Sequence, residues 1–419
     1  MLQNRSYEQG LSQNKFQFIL LVLVNAFVGG MVGLERVILP EFAKATFGIN
    51  ASFAIMSFVM AFGISKAVSN YSVAKLTKKY SRKNILILGW LFAIPVPFIL
   101  MYAPSWNWVI FANIFLGINQ GLSWSTTVIM KIDLVGSKNR GLAMGINEFA
   151  GYLSVGLASY MSSKIAADFG FQLFPFIPGL VFVFMGLFIT IFFVKDTTHF
   201  VHEESISSNV AILKNVWKDA SWRHKNISTV SINGLVNNMN DAVIWLLLPM
   251  LLITKDFSII RIGIIAGVYP AVWGLSQLFT GKLGDRNCKK QIITLGMIIQ
   301  SVAIAILAIS SNWELLIFAS FLLGIGTGLV YPNFLTIVAE NSHPTQRAET
   351  LSIFRFWRDS GYVIGALFAS VLSTQIGITN TLLTMSLITA FAGILAHYRM
   401  CCTLKKWWKD AECALIPAY

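Results

Sequence analysis

The chain has 419 residues, of which 55% are hydrophobic and only 12% are charged, and its mean hydropathy is +0.66. Soluble domains average about 25% charged residues, so this composition excludes a water-soluble domain of this size and predicts a membrane protein. The formal net charge of +13 does not indicate a nucleic-acid partner, because the basic residues cluster in alternate segments between apolar stretches.

Apolar stretches of about 20 residues recur along the chain, and a helix needs that length to cross the hydrocarbon core of a bilayer. The first stretch is too long for the core of a secretory signal peptide. We predict an all-α membrane protein with twelve transmembrane helices. These spans lie at approximately 16–39, 52–76, 84–103, 106–130, 141–165, 173–195, 227–253, 259–283, 291–310, 313–339, 349–375 and 378–398.

The longest hydrophilic connection lies between spans 6 and 7 and separates two groups of six. We therefore predict four parts of the chain. They are an N-terminal six-helix bundle over 1–195, a cytoplasmic linker over 196–226, a C-terminal six-helix bundle over 227–398 and a cytoplasmic tail over 399–419.

The basic residues predict the orientation of the chain in the membrane. With both termini on one side, that side holds 24 of the 32 lysine and arginine residues, among them Lys131 after span 4. The opposite side holds only Lys44, Lys164, Lys255 and Arg261. Because cytoplasmic loops are enriched in lysine and arginine, both termini are predicted to be cytoplasmic.

The two groups of six spans repeat each other. The basic segment Ala74–Lys83 after span 2 recurs as Gly281–Lys290 after span 8, at an offset of 207 residues. Asp133 and Arg140 correspond to Glu340 and Arg347 at the same offset, and Gly151-Tyr152 corresponds to Gly361-Tyr362 at an offset of 210. Parallel repeats of this kind predict two pseudo-symmetric bundles that rock around a central site.

The segment from Gly281 to Lys290, GKLGDRNCKK, resembles the loop signature G-x-L-x-D-R-x-G-R-K of the major facilitator superfamily, with Cys288 in place of the second glycine. The copy in the first half has Lys78 in place of the acid. Signature and repeat together cover nearly the whole chain. The resemblance implies a secondary transporter from a bacterial branch of that superfamily.

In that superfamily, such loop charges lock the cytoplasmic side while the transporter is open to the outside. The resemblance implies a cytoplasmic gate in this chain formed by Arg82, Lys83, Asp133, Arg140, Gly281, Asp285, Arg286, Glu340 and Arg347. Lys78 predicts that the first half has the weaker latch. The alternative is that these charges only set the orientation of the chain in the membrane.

Eight ionisable residues lie inside predicted spans, and each costs roughly 2.5–3.5 kcal/mol near the bilayer centre on insertion scales. They are Glu35, Arg36, Lys66, Glu148, Asp241, Arg355, Arg358 and Asp359. The summed cost of burying all eight in lipid exceeds the free energy of unfolding of an ordinary domain, so these side chains must face water or one another. From their depths we expect Lys66 to pair with Asp359 and Arg36 with Asp241, whereas Glu148 has no obvious basic neighbour.

A carboxyl group in a semi-dry cavity can exchange a proton as the cavity alternates between the two faces. We predict Glu148 as the proton-coupling residue, with Asp241 next. The predicted substrate-binding residues are Arg36, Lys66, Asn119, Gln120, Trp124, Tyr152, Asn237, Trp245, Tyr269, Trp273, Arg355, Arg358 and Asp359. The basic members suit an anion and the aromatic members an organic body. For each residue the alternative is a structural role in helix packing.

The chain contains no Walker motif, HExxH, GxSxG or His/Cys cluster, which predicts neither an enzyme nor an ATP-driven pump and no metal or cofactor. We expect a monomeric transporter in a bacterial inner membrane that works by alternating access. Its substrate is predicted to be a small anionic or zwitterionic organic solute, coupled to protons. The alternatives are a proton antiporter that exports drugs, toxic compounds or a siderophore, and a transport-dead membrane sensor.

Overall fold

The structure, a computed structural model, describes residues 8–49, 51–136 and 139–401, and every regular element in these ranges is helical. The helices are α1 (Lys15–Arg36), α2 (Leu39–Phe47), α3 (Ala51–Leu76), α4 (Arg82–Ala93), α5 (Pro95–Met101), α6 (Trp106–Val135), α7 (Arg140–Phe169), α8 (Ile177–Phe192), α9 (Thr198–Ser207), α10 (Val216–Lys218), α11 (Lys225–Thr254), α12 (Ile259–Arg286), α13 (Lys289–Ile309), α14 (Trp313–Glu340), α15 (Pro344–Ile376) and α16 (Ile378–Arg399).

Eight membrane-length helical segments in the described ranges qualify as spans by length and composition alone. The other four long helices, α3, α6, α7 and α15, carry Lys66, Lys131, Glu148 and Asp359, and all four side chains are buried. These charges lie between helices and not in lipid. The prediction of a twelve-helix, all-α membrane protein is confirmed, with α1–α2 and α4–α5 each forming one interrupted span.

The helices pair in the same way in both halves. In the first half α1 packs on α7 and α3 on α6, and in the second half α11 packs on α15 and α12 on α14. The halves meet along two seams, where α3 lies against α15 and α7 lies against α12. This pairing is the one expected for two six-helix repeats related by a pseudo-twofold axis.

The seam between α7 and α12 is closed at one end and open at the other. We call the end near the connection 193–224 the linker side, and the opposite end the far side. On the linker side, a Cβ built on Gly281 would lie 2.3 Å from the carbonyl oxygen of Gly141, so the two backbones touch. Toward the far side, a Cβ built on Gly156, Gly263 or Gly267 would meet no atom within 4 Å.

Replacing Gly281 by alanine should open the linker side. The new Cβ would overlap the Gly141 carbonyl, and overpacking of this kind costs about 1–3 kcal/mol. We expect faster hydrogen–deuterium exchange of the backbone amides around Gly141. The matched control is Gly274→Ala on the same helix, where the nearest atom, Cβ of Tyr152, is 3.9 Å away. Equal exchange in the two variants would contradict a backbone-to-backbone closure.

Candidate transport site

Nine ionisable side chains lie together between the halves, and all except the half-buried Arg36 are buried. The cations are Arg36, Lys66, Lys131, Arg355 and Arg358, and the acids are Glu35, Glu148, Asp241 and Asp359. With every group ionised, this set has one more positive charge than negative.

Asp359 joins the two halves at the centre of the molecule. Its Oδ1 lies 3.7 Å from Nζ of Lys66 in the first half and accepts a hydrogen bond of 2.9 Å from the neighbouring Arg358. Asn70 donates to its Oδ2 at 2.5 Å. The ion pair expected between Lys66 and Asp359 is present, and it crosses the seam between α3 and α15.

Glu148 is held from both halves. Its Oε1 accepts hydrogen bonds from Nε1 of Trp124 at 3.1 Å and from Nδ2 of Asn147 at 2.6 Å, and it lies 3.8 Å from Nη2 of Arg355. Nζ of Lys131 donates to the Oδ1 of the same asparagine. The expectation that Glu148 has no basic neighbour is therefore wrong.

The sequence analysis missed Lys131 because it placed the end of span 4 too early. The helix α6 continues to Val135, five residues past the predicted end, so Lys131 lies inside the helix and is fully buried. The error in the predicted helix end therefore placed Lys131 in a loop, whereas it lies in the interior of the protein. A polar α6 face that includes Trp124 and Thr127 was the available signal.

The ion pair expected between Arg36 and Asp241 does not form. Asp241 instead accepts hydrogen bonds from the hydroxyl groups of Tyr269 and Tyr362, the latter at 3.4 Å. The Arg36 guanidinium stacks on the ring of Trp245, 4.2 Å from its centroid. An aromatic face and two phenolic hydroxyls satisfy these two groups separately.

Two cavities open beside this network and share Arg36 and Trp245 in their walls. The larger, of about 740 Å³, lies between the far-side halves of α7 and α12 and is mainly apolar. The smaller, of about 150 Å³, includes Glu35, Asn113 and Tyr362. Arg36 thus lies in a wall that two mainly apolar cavities share.

Five of the predicted substrate-binding residues line the larger cavity, namely Arg36, Tyr152, Trp245, Tyr269 and Trp273. Another five lie in the buried ionic network on its linker side and do not line either cavity in this conformation. They are Lys66, Trp124, Arg355, Arg358 and Asp359. Asn237 is buried, and neither of its side-chain amide atoms forms a hydrogen bond within the described part of the chain.

Asn119 and Gln120 do not belong to the cavity walls. The Asn119 amide donates to the carbonyl oxygen of Gly89 at 2.9 Å, and the Gln120 amide donates to that of Val28 at 2.6 Å. Both are fully enclosed within the first half, where they join α6 to α4 and to α1. These contacts favour the alternative role in helix packing for both residues.

The linker-side gate closes the seam between α7 and α12 with a helix cap. Asp285, at the end of α12, accepts hydrogen bonds from the backbone amides of Gly141 at 2.8 Å and Leu142 at 3.0 Å. These are the first amides of α7, where a carboxylate also interacts favourably with the helix dipole. One acid of the second half thus holds a helix of the first.

The equivalent position on the other seam holds a different contact. Lys78 replaces the acid, and its Nζ forms an ion pair of 2.7 Å with Glu349 of α15. Glu349 lies 207 residues after Leu142, so it occupies the place of a residue whose backbone binds Asp285. Because the lysine side chain is 64% exposed, the pair is worth roughly 0–1 kcal/mol.

Glu204 of α9 was not predicted, yet it contacts both halves of the gate. Its carboxylate accepts hydrogen bonds of 2.6 and 2.7 Å from Arg347 and one of 3.2 Å from Arg140. Burial acts to raise the pKa of Glu204, but the hydrogen bonds and charge of Arg347, with the charge of Arg140, lower the pKa to about 2. The linker is therefore part of the contact that joins the two halves on this side.

The remaining predicted gate residues bind within their own half or lie in solvent. Arg82 forms an ion pair of 3.2 Å with Asp133, and Lys83 donates to the carbonyl oxygen of Ile191 at 2.7 Å. Glu340 pairs with Lys289 at 2.9 Å. Arg286 is exposed.

Replacing Glu204 by glutamine should open the linker side. The change leaves the buried Arg140 and Arg347 without their shared carboxylate, and removing one partner of a buried ion pair is strongly destabilising. We expect at least roughly tenfold faster deuterium exchange of the amides of Gly141 and Leu142. The matched control is Glu203→Gln, an exposed neighbour on the same helix.

The protection of the wild-type amides, which is their exchange rate corrected for the intrinsic base-catalysed rate, should not change with pH near neutrality. A carboxyl with a lowered pKa contributes stability that is complete above its unfolded value of about 4.3, and that is lost as the pH falls toward about 2. If the two variants exchange equally, or if the wild-type gate opens between neutral pH and about pH 5, Glu204 does not hold the gate closed.

A family model described as Major Facilitator Superfamily matches residues 20–224 and 230–401. A protein of Staphylococcus haemolyticus (strain JCSC1435) named "Proton-coupled antiporter flippase LtaA" is 26% identical over 383 residues, covering 89% of this chain and 91% of that protein. The protein of the same name from Staphylococcus saprophyticus subsp. saprophyticus is 23% identical over 405 residues, covering 94% and 96%.

A solved structure of similar fold is the crystal structure of the human organic anion transporter MFSD10 (TETRAN). It has a TM-score of 0.73 and 12% sequence identity, and the match covers 91% of this chain and 99% of that one. At this identity the likeness concerns the fold alone.

Proposed function

The chain belongs to the major facilitator superfamily, and we propose that it is a proton-coupled antiporter that moves an amphiphile with an anionic headgroup across the membrane. A multi-pass membrane transporter, and not an enzyme, is what the sequence predicts, and the family match confirms it. We further propose that the linker side is cytoplasmic in a bacterial cell membrane. The substrate proposed here is therefore larger than the small organic solute predicted from the sequence, and it has an apolar part.

The opening between α7 and α12 carries the proposal of an amphiphile. Leu153 and Leu157 of α7 and Leu275 of α12 line the larger cavity, although they are 44%, 62% and 56% exposed. Residues that belong to both a cavity and the outer surface mark a lateral opening. Such an opening lets a hydrocarbon chain remain in the bilayer while the headgroup enters the space between the halves.

The charges of the site support an anionic headgroup. Five cations oppose four acids in the interior, and the Arg36 guanidinium faces both cavities with an aromatic ring as its neighbour. Guanidinium groups bind carboxylate and phosphate through two parallel hydrogen bonds. An anion there would balance the charge of the site.

The names of the relatives support lipid movement and proton coupling. Both matched staphylococcal proteins are named proton-coupled antiporter flippases, and the matches extend over about nine tenths of the chain or more. Identities of 23–26% leave the chemistry of the headgroup open. The apolar lateral cavity is the feature of this chain that agrees with those names.

Glu148 is the residue we propose for proton coupling. It moves with α7 in the first half, whereas Arg355, 3.8 Å away, moves with α15 in the second. Any rocking of the halves changes the distance between carboxylate and guanidinium, so the electrostatic stabilisation of the Glu148 charge depends on the conformation. That dependence is what couples a proton to transport.

The Glu148→Gln variant should lose proton-driven transport and keep the exchange of lipid between the two leaflets. Proteoliposomes with phosphatidylglycerol that carries a fluorescent nitrobenzoxadiazole (NBD) group report its movement, because dithionite quenches the outer leaflet only. With a pH gradient we expect flipping to fall to the protein-free rate, whereas exchange without a gradient stays within roughly twofold. The matched control is Glu41→Gln, at an exposed acid of α2.

Loss of both activities, or of neither, would contradict the role of Glu148. If the wild-type protein moves no NBD-labelled lipid, but a water-soluble organic anion raises its melting temperature, the smaller solute predicted from the sequence is the substrate.

Filling the lateral cavity should block transport and leave the fold intact. Gly267 lines the cavity and has no atom within 4 Å of a built Cβ, so Gly267→Leu places a side chain there without overlap. We expect flipping of NBD-phosphatidylglycerol to fall roughly tenfold, with an equal or higher melting temperature because leucine favours a helix over glycine. Gly267→Ala is the control and should keep most of the rate. Undiminished flipping in the leucine variant would mean that the hydrocarbon chain of the lipid does not pass through this cavity.

A further inference from the structure

Lys131, Asn147 and Glu148 form a chain of hydrogen bonds within the first half. Nζ of Lys131 donates to Oδ1 of Asn147, and Nδ2 of Asn147 donates to Oε1 of Glu148 at 2.6 Å. All three side chains are fully buried. The amide thus joins a buried ammonium to a buried carboxylate, and the ammonium is the member nearer the linker-side end of α6.

A second cation reaches the same carboxylate from the other half. Arg355 lies 3.8 Å from Oε1 of Glu148, and its Nε and Nη2 have no hydrogen-bond partner among the residues that the structure describes. Among the described residues, the titratable groups that face Glu148 are Lys131 of α6, Tyr152 of α7, Tyr331 of α14 and Arg355 of α15. Each half therefore supplies one cation to Glu148.

Opening of the linker side separates these two cations. Glu148 and Lys131 move together, since α6 and α7 belong to one half, whereas Arg355 leaves with α15. A buried carboxylate that loses its cation is strongly disfavoured unless another cation or a proton replaces it. Lys131 is already joined to Glu148 through Asn147 and can take over without any movement between the halves.

We propose that Lys131 is a positioning residue that holds the Glu148 carboxylate when the halves part on the linker side, and thereby leaves Arg355 free for the anionic headgroup. This inference rests on the proposed function. In the linker-open state, the Glu148 carboxylate thus stays ionised after Arg355 has left. The Lys131 ammonium keeps its own protons and balances that charge through Asn147.

The test measures how often the linker side opens, by deuterium exchange of the amides that this opening exposes. In the Lys131→Met variant, Glu148 would keep neither of the two cations described above on opening, so the linker-open state should become rarer. We expect deuterium exchange of the amides over 141–145 and 277–281 to slow by roughly tenfold or more. Lys131→Arg keeps the charge and should exchange at nearly the wild-type rate.

The double variant Lys131→Met with Glu148→Gln separates this role from a structural one. Without the carboxylate there is no charge to balance, so exchange should return to within roughly twofold of Glu148→Gln alone. A packing defect at Lys131 would persist in the double variant. Unchanged exchange in Lys131→Met, or slow exchange that Glu148→Gln does not relieve, would overturn the proposal.

If Lys131→Met does not fold, Asn147→Ala provides the same test, because it removes the bridging amide and retains the lysine. Its exchange should slow by roughly threefold and recover when combined with Glu148→Gln. Slowing without recovery overturns the proposal here too. The lipid-flipping assay on Glu148→Gln tests the proposed function separately, since deuterium exchange is measured on the transporter without substrate.

Discussion

Charged groups inside a bilayer must have partners, and this constraint determines how the twelve helices are arranged. The buried acids Glu148 and Asp359 take ligands from both halves, because Lys66 of α3 pairs with Asp359 of α15 and Arg355 of α15 approaches Glu148 of α7. Removing one partner of such a pair costs several kcal/mol, more than most single contacts contribute. The ionic interior therefore favours two discrete arrangements of the halves over a continuous range.

On the closed linker side, the two seams end in different contacts, and one shared acid binds both halves. On one seam Asp285 caps α7 through two backbone amides, whereas on the other Lys78 forms an exposed ion pair with Glu349. Exposed pairs contribute little, so the two seams are not equally strong. Glu204 compensates for this difference because it binds the equivalent arginines of both halves at once. The linker is thus a third element of the gate.

The sequence was sufficient for features that depend on periodicity and on desolvation cost. Twelve spans, the 207-residue repeat and the Lys66–Asp359 pair follow from apolar length and from depth along a helix. Features that depend on a helix boundary or on direction around a helix did not follow. Lys131 lay outside span 4 by one residue, and Asn119 and Gln120 face neighbouring helices. Glu204 lies in a hydrophilic connection, where one acid among many gives no periodic signal.

The helix α7 connects the three parts of the proposed transport cycle. From the linker side to the far side it carries Gly141 at the gate, Glu148 in the ionic network and Gly156 at the lateral opening. A helix is stiff along its axis, so a tilt that separates Gly141 from α12 also moves Glu148 away from Arg355. The same tilt changes the width of the gap beside Gly156. In the proposed cycle, proton transfer, opening of the linker side and access for a hydrocarbon chain therefore follow from one rigid-body movement, which requires no separate signal between the sites.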